Sequence, residues 1–275
     1  MTKRKRLMWS LLAIPIILYL AICAFLFFAQ NAMIFPAGLV GPSGGLPDNA
    51  ERLTLAAQTG ERLVGIHIPP VRAGSDRTLI LGLGGNATNA EVTAATLHDL
   101  YPDADVVAFH YRGYPPSEGK AGAAALQQDA LIICDAMRAR LRPARLVVAG
   151  FSVGNGVAAY LTARRPIDGL ILVTPFDSLM QVSAGHYPWA PVRLLFRNEM
   201  EPARDLSGVR TPVAIIAGGR DTLVVPARTQ ALRLAIPNLA FDRTIPDADH
   251  NDIYRNPAFA PAMRQALQAV LTARR

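Results

Sequence analysis

From residue 78 onward, short aliphatic runs alternate with helical patterns, and this rhythm constrains the fold more than any other feature of the chain. Residues 78–83, 105–109, 145–149, 169–173, 212–217 and 241–245 are rich in Val, Ile, Leu and Ala and read as buried strands. Helical candidates lie between and after them, at 89–100, 121–141, 153–165, 224–236 and 252–272. Two earlier segments, 52–57 and 62–68, flank Thr59-Gly60 and read as a hairpin. A strand, a crossover helix and a further strand place the two strands parallel. The alternation therefore predicts an α/β domain with a mostly parallel eight-stranded sheet and helices on both faces. No internal repeat is visible. Segment 177–208 breaks the rhythm after a strand end, with Tyr187, Trp189, Leu194, Leu195, Phe196 and Met200. It reads either as a short lid or as additional core.

The domain is preceded by an apolar run. From Leu7 to Ala29 the chain carries no formal charge over 23 residues. As a helix this run reaches about 35 Å, enough for a hydrocarbon core of about 30 Å with some tilt. A cleaved leader has an apolar stretch of only about 7–15 residues and a small-residue cleavage site. Neither fits here, and the segment 7–29 is expected to be an uncleaved signal anchor. Lys3, Arg4, Lys5 and Arg6 precede it in a basic tail, 1–6. The positive-inside rule then leaves the N-terminus in the cytoplasm and the rest on the extracytoplasmic side, periplasmic or extracellular. Residues 30–50 include a Gly/Pro-rich stretch and are expected to be a tether, with the α/β domain occupying 51–275.

Composition excludes several classes. With 51% hydrophobic and 18% charged residues the chain is not disordered, and two cysteines build no disulfide scaffold. A single apolar run of spanning length excludes a multipass protein. The net charge of +7 is uneven: the tail holds four of those charges and residues 1–29 hold no acid, which leaves +3 for the remainder. A basic pI therefore does not make the domain a nucleic-acid binder. No metal cluster or cofactor fingerprint is present.

Chemistry concentrates where the strand 145–149 runs into Gly150-Phe151-Ser152-Val153-Gly154 and then a helix. Such a strand–turn–helix carrying G-x-S-x-G presents the Ser152 hydroxyl on a strained turn, above the sheet's carboxyl edge. A serine nucleophile needs a base. Of five histidines only His250 follows the last strand in a loop; His67, His98, His110 and His186 read as packed or surface residues. An acid is expected in a loop at a strand's carboxyl end. Asp221, in Gly218-Gly219-Arg220-Asp221, meets this, with Asp177 as the alternative, whereas Asp247 and Asp249 lie too close to His250 in sequence. Leu81-Gly82-Leu83-Gly84-Gly85-Asn86 supplies a glycine loop that allows close backbone approach. The N–H groups of Leu83 and Val153 are expected to be the oxyanion donors.

These stretches together resemble the α/β-hydrolase superfamily, in particular its single-pass, membrane-anchored serine hydrolases related to serine aminopeptidases and monoacylglycerol lipases. The likeness is carried by Gly84-Gly85-Asn86, Tyr111-Arg112-Gly113-Tyr114, Ser117-Glu118-Gly119, Gly150-Phe151-Ser152-Val153-Gly154, Thr174-Pro175-Phe176-Asp177-Ser178-Leu179, Asp221 and His250-Asn251-Asp252, over about residues 30–272. The resemblance implies Ser152, Asp221 and His250 as a catalytic triad. It departs from the family where Leu81 stands in place of a loop His and where Asp249, not Gly, precedes His250. The Asp249 carboxylate is expected to stabilise protonated His250. The implied activity is hydrolysis of carboxylic (acyl or lipid) esters or thioesters, without cofactor or metal, on a small-molecule substrate at the membrane. Amide hydrolysis of the serine-peptidase type and a silent binding protein on the same scaffold are the alternatives. Oligomeric state is left open.

Overall fold

Every segment expected to be a strand forms one. They are β1 (Glu51–Ala56), β2 (Arg62–Ile68), β3 (Thr78–Leu83), β4 (Asp105–Phe109), β5 (Arg145–Phe151), β6 (Gly169–Val173), β7 (Val213–Gly218) and β8 (Leu239–Ile245). The computed structural model describes residues 3–72 and 77–273, with side chains in its first helix from Ala13 onward. Met1 and Thr2 of the expected basic tail, the side chains of Lys3, Arg4, Lys5 and Arg6, and the terminal Arg274 and Arg275 lie outside the described residues.

The strands form one sheet in the order β1-β2-β4-β3-β5-β6-β7-β8, with β2 antiparallel to both its neighbours and all other pairs parallel. Helices α2 (Ala90–Leu100) and α9 (Phe259–Thr272) cover one face. Helices α3 (Ala123–Leu141), α4 (Gly154–Thr162) and α8 (Pro226–Ala235) cover the other. Alternation along β5 makes the point: Leu146 and Val148 enter the α3/α4 core, while Val147, Ala149 and Phe151 enter the α2/α9 core. Each fully buried Leu or Val side chain among these contributes about 1.5–3 kcal/mol. After β3 the chain goes to β4 on one side and returns to β5 on the other. The carboxyl ends of β3 and β5 therefore flank a switch point, where open α/β sheets form their crevice.

Two expectations need correction. The stretch 252–272 is not one helix but a 3-10 turn at Ile253–Arg255 followed by α9. Nor do residues 30–50 hang free. Helix α1 (Lys3–Ile34) continues past the apolar run, Phe35 is buried in the core, and Ile34, Ala37 and Val40 pack against it. Within α1, residues Ala13–Ile34 are long and apolar enough to cross a membrane. Between β6 and β7 lies an insertion of three short helices, α5 (Leu179–His186), α6 (Val192–Leu195) and α7 (Pro202–Leu206).

The turn after β4 is tied down by a buried ion pair. Arg112 Nε donates to Asp129 Oδ2 of α3 at 3.0 Å, and its Nη1 donates to Thr59 at 2.7 Å and pairs with Glu61 at 3.1 Å. The side chains of Arg112 and Asp129 are 9% and 6% exposed. Removing one partner of such a pair strands a charge away from water. Asp129→Ala is therefore expected to lower stability by about 3–5 kcal/mol, read as a fall in the urea midpoint, with Asp129→Ala/Arg112→Met recovering much of the loss.

Candidate active site

The centre of the site is a backbone turn. β5 runs into Ser152 at φ +50°, a left-handed conformation that costs a non-glycine residue about 1–3 kcal/mol. Neighbouring groups hold it there. Ser152 N–H donates to Val173 O at 3.0 Å, and the buried Asn155 side-chain amide donates to Ser152 O and Val173 O, both at 2.8 Å. The two glycines have separate reasons. A Cβ on Gly154 would stand 2.2 Å from Leu83 O and 2.5 Å from Gly84 O, so α4 can start against β3 only with glycine at that position. A Cβ on Gly150 would stand 2.9 Å from that of Ala158, within the strand–helix contact. Asn155 was not singled out from the sequence. Its one signal there is an amide side chain among mostly small and apolar residues at the start of a helix.

Three residues far apart in the chain meet at this turn. Ser152 Oγ lies 2.8 Å from His250 Nε2, and His250 Nδ1 lies 2.7 Å from Asp221 Oδ2. An ionised carboxylate only accepts, so Nδ1 carries the proton and Nε2 is free to accept from the serine hydroxyl. Asp221 is 4% exposed, and its other oxygen accepts N–H bonds from Leu223 at 2.9 Å and Val224 at 2.7 Å. Those bonds fix the carboxylate's direction. The alternative acid, Asp177, pairs instead with Arg228 of α8 at 3.1 Å, and burial raises its pKa.

The other histidines are occupied elsewhere or buried. His67 bonds Asp105 at 2.8 Å, His98 and His110 are buried, and burial pushes the His110 pKa down. His186, at the end of α5, has Nε2 2.8 Å from Leu223 O, linking the insertion to the Asp221 loop. The Cys134 thiol is buried and pushed up to about 11, which keeps it protonated and unreactive near neutral pH. Among the described residues, no group of three or more His, Cys, Asp and Glu side chains converges as a metal site.

Above Ser152 opens a cleft of about 500 Å³ with a mostly apolar lining. Asn86, Ser152, Val153 and Phe176 line it from the sheet side, and α5 and α6 from the insertion. The expected donor Leu83 is not among the lining residues. It is the last residue of β3, paired with Gly150 and 4% exposed. The glycine loop reaches the cleft through Asn86 instead. Tyr111 Oη braces that loop by donating to Gly84 O at 2.7 Å, and Tyr114 Oη accepts from Ala87 N–H at 3.4 Å. Among the described residues, neither the Val153 nor the Asn86 N–H is bonded to a backbone carbonyl.

The Asp249 carboxylate is engaged chiefly by backbone groups, and its attraction to His250 is the smallest of the effects on it. It accepts the N–H groups of Asn251 at 2.7 Å and Asp252 at 2.9 Å, closing the turn that carries His250. These bonds hold the Asp249 pKa below its ordinary value, with His250 the smallest contributor. A carboxylate depressed in the folded state adds stability that is present above its unfolded pKa, about 3.9, and lost as pH falls through the folded value. The stability advantage of the wild type over Asp249→Asn, read from urea midpoints, is therefore expected to hold at pH 5–7 and shrink below about pH 4.

No protein-family model matches the chain. It is 31% identical over 251 residues to the uncharacterized protein Rv2307c of Mycobacterium tuberculosis strain H37Rv, covering 87% of this chain and 89% of that one. It is 30% identical over 137 residues to the lysophosphatidylserine lipase ABHD12 of Danio rerio, covering 43% of this chain and 36% of that protein. Among solved structures, the esterase Pf2001 of Pyrococcus furiosus superposes with a TM-score of 0.66 at 20% identity, over 84% of this chain and 98% of the esterase. An alpha-beta hydrolase of Vibrio vulnificus superposes with a TM-score of 0.68 at 17% identity, over 88% and 91% of the two chains. With its eight-stranded, mostly parallel sheet and these neighbours the chain has the α/β-hydrolase fold, and by identity over most of both chains it belongs to one family with Rv2307c.

Proposed function

We propose that this protein is a membrane-anchored serine hydrolase that cleaves carboxylic esters through an acyl-enzyme on Ser152. The observation that carries the reading is the linear chain of short contacts from Ser152 through His250 to Asp221 at the mouth of an apolar cleft. His250 takes the hydroxyl proton as Ser152 Oγ attacks the ester carbonyl, then returns it to the departing alcohol. Asp221 holds the imidazole in the required tautomer and stabilises the imidazolium. Water repeats the sequence to release the acid. The tetrahedral oxyanion is received by the N–H of Val153 and, in this reading, by that of Asn86 in place of Leu83.

Ester rather than amide substrates are favoured by the apolar cleft and by α1, which as a signal anchor holds the domain at the extracytoplasmic surface of the bilayer. The segment 177–208 then serves as the lid. The relatives bear on this only through their names, a lipase and an esterase.

A fluorophosphonate probe is expected to label the wild type and not Ser152→Ala. Absence of labelling in folded wild-type protein would overturn the reading. Asp221→Asn is expected to lower kcat by about 10⁴-fold, because the wrong tautomer faces the serine. In a panel of acyl esters and aminoacyl amides, preferential cleavage of amides would replace the esterase reading with a peptidase.

A further inference from the structure

Helix α1 does more than lead into the domain. From Ile14 to Leu18 its side chains are exposed all round, but from Tyr19 onward one face is covered by the β6–β7 insertion. Tyr19 Oη donates to Trp189 O at 3.2 Å, and Cys23, one turn further on, is buried. At Gln30 the contact becomes a clamp. Its amide nitrogen donates to Leu195 O at 3.0 Å, and its oxygen accepts Arg197 N–H at 2.8 Å. Asn198 then bonds Asn31 Oδ1 at 2.7 Å and accepts the Ala123 N–H that opens α3 at 3.2 Å. Tyr19, Cys23, Phe27, Gln30 and Ile34 are spaced by three and four residues, so one stripe of the helix is committed to the domain.

That stripe enters the cleft. Leu26, Phe27, Met33 and Ile34 line it together with Ser152. The insertion overlaps the uncharged run by the eleven residues from Tyr19 to Ala29, about 15 Å of helix. There the tip of the insertion carries Trp189, whose carbonyl accepts from Tyr19 and which is 51% exposed, and beside Leu195, which bonds Gln30, stands Leu194, 85% exposed. Aromatic and aliphatic side chains exposed beside a membrane-spanning helix belong in the interfacial zone and the adjoining hydrocarbon, not in water.

We propose that the C-terminal turns of α1 and the tip of the β6–β7 insertion, lying in the adjacent leaflet, form the acyl-binding wall of the cleft. The substrate is then an acyl ester still resident in the bilayer, whose chain slides along α1 to Ser152 without crossing water. A volume of about 500 Å³ suits one such chain, within the about 300–1,000 Å³ typical of pockets that bury a single ligand. This inference rests on the serine-hydrolase reading above and adds the anchor helix to the substrate site.

The test uses the full chain reconstituted in phosphatidylcholine vesicles, with rates counted per fluorophosphonate-reactive serine. Monooleoylglycerol held in the vesicle is compared with water-soluble p-nitrophenyl acetate. Leu26→Trp and Met33→Trp add bulk to the α1 wall and are expected to lower the long-chain to acetyl ratio of kcat/KM by roughly tenfold or more. An unchanged ratio overturns the proposal. A second measurement does not depend on those variants folding. In Trp9→Phe protein Trp189 is the sole tryptophan, and vesicles of dibrominated phosphatidylcholine are expected to quench its fluorescence. Full fluorescence in brominated vesicles overturns the immersion of the tip. Failure of the underlying reading looks different, since the wild type would then label no serine and turn over neither ester.

Discussion

The site depends on one close approach: the first turn of α4 lies against the Leu83 and Gly84 carbonyls, where only a hydrogen fits at Gly154. This packing sets where α4 begins, and the start of α4 fixes the sharp turn that holds Ser152 at positive φ. The strained conformation persists because Val173 and Asn155 bond the groups around it, so the surrounding sheet offsets the local cost. The same approach brings the β3 loop, with Asn86, beside Ser152 and Val153 on the lining of one cleft. The strained turn and the sheet-side wall of the cleft therefore meet at a single contact.

A second coupling runs through the insertion. His186 links it to the Asp221 loop through Leu223, while Gln30 and Asn198 link it to α1 and to the start of α3. The acid loop, the cover of the cleft and the long helix are thus mechanically joined. A displacement of α1 in its surroundings would be transmitted to the wall opposite Ser152. In the functional reading, membrane attachment and substrate handling share one structural element.

Much of the fold was legible because the strands are buried on both faces. Continuous Val, Ile, Leu and Ala runs such as 145–149 and 169–173 have no rival interpretation when helical patterns separate them. Ser152, His250 and Asp221 could be picked out since each sits just past a strand's carboxyl end, and the structure brings them together. Other parts were hidden for physical reasons. Helix α1 is apolar nearly all round, so its sequence does not mark the stripe that packs on the insertion. Gln30 and Asn31 look like the polar end of a span, whereas their long-range hydrogen bonds go to Ala121, Leu195, Arg197 and Asn198, 90 to 168 residues along the chain. Asp249 precedes His250 in sequence, but its carboxylate is engaged by the Asn251 and Asp252 amides. Leu83 closes the strand 78–83 as expected and is 4% exposed, so it is the following loop, at Asn86, that lines the cleft, a side-chain placement that composition does not reveal.

The central claim is a covalent acyl intermediate on the strained serine. Rapid quenching of the full chain with a slowly hydrolysed long-chain ester, followed by peptide mass analysis, addresses it most directly. The account predicts one acyl adduct, located on the peptide bearing Ser152, that forms within the first turnover and decays as free acid appears. Product formed with no adduct, or with the acyl group on any other residue, would contradict it.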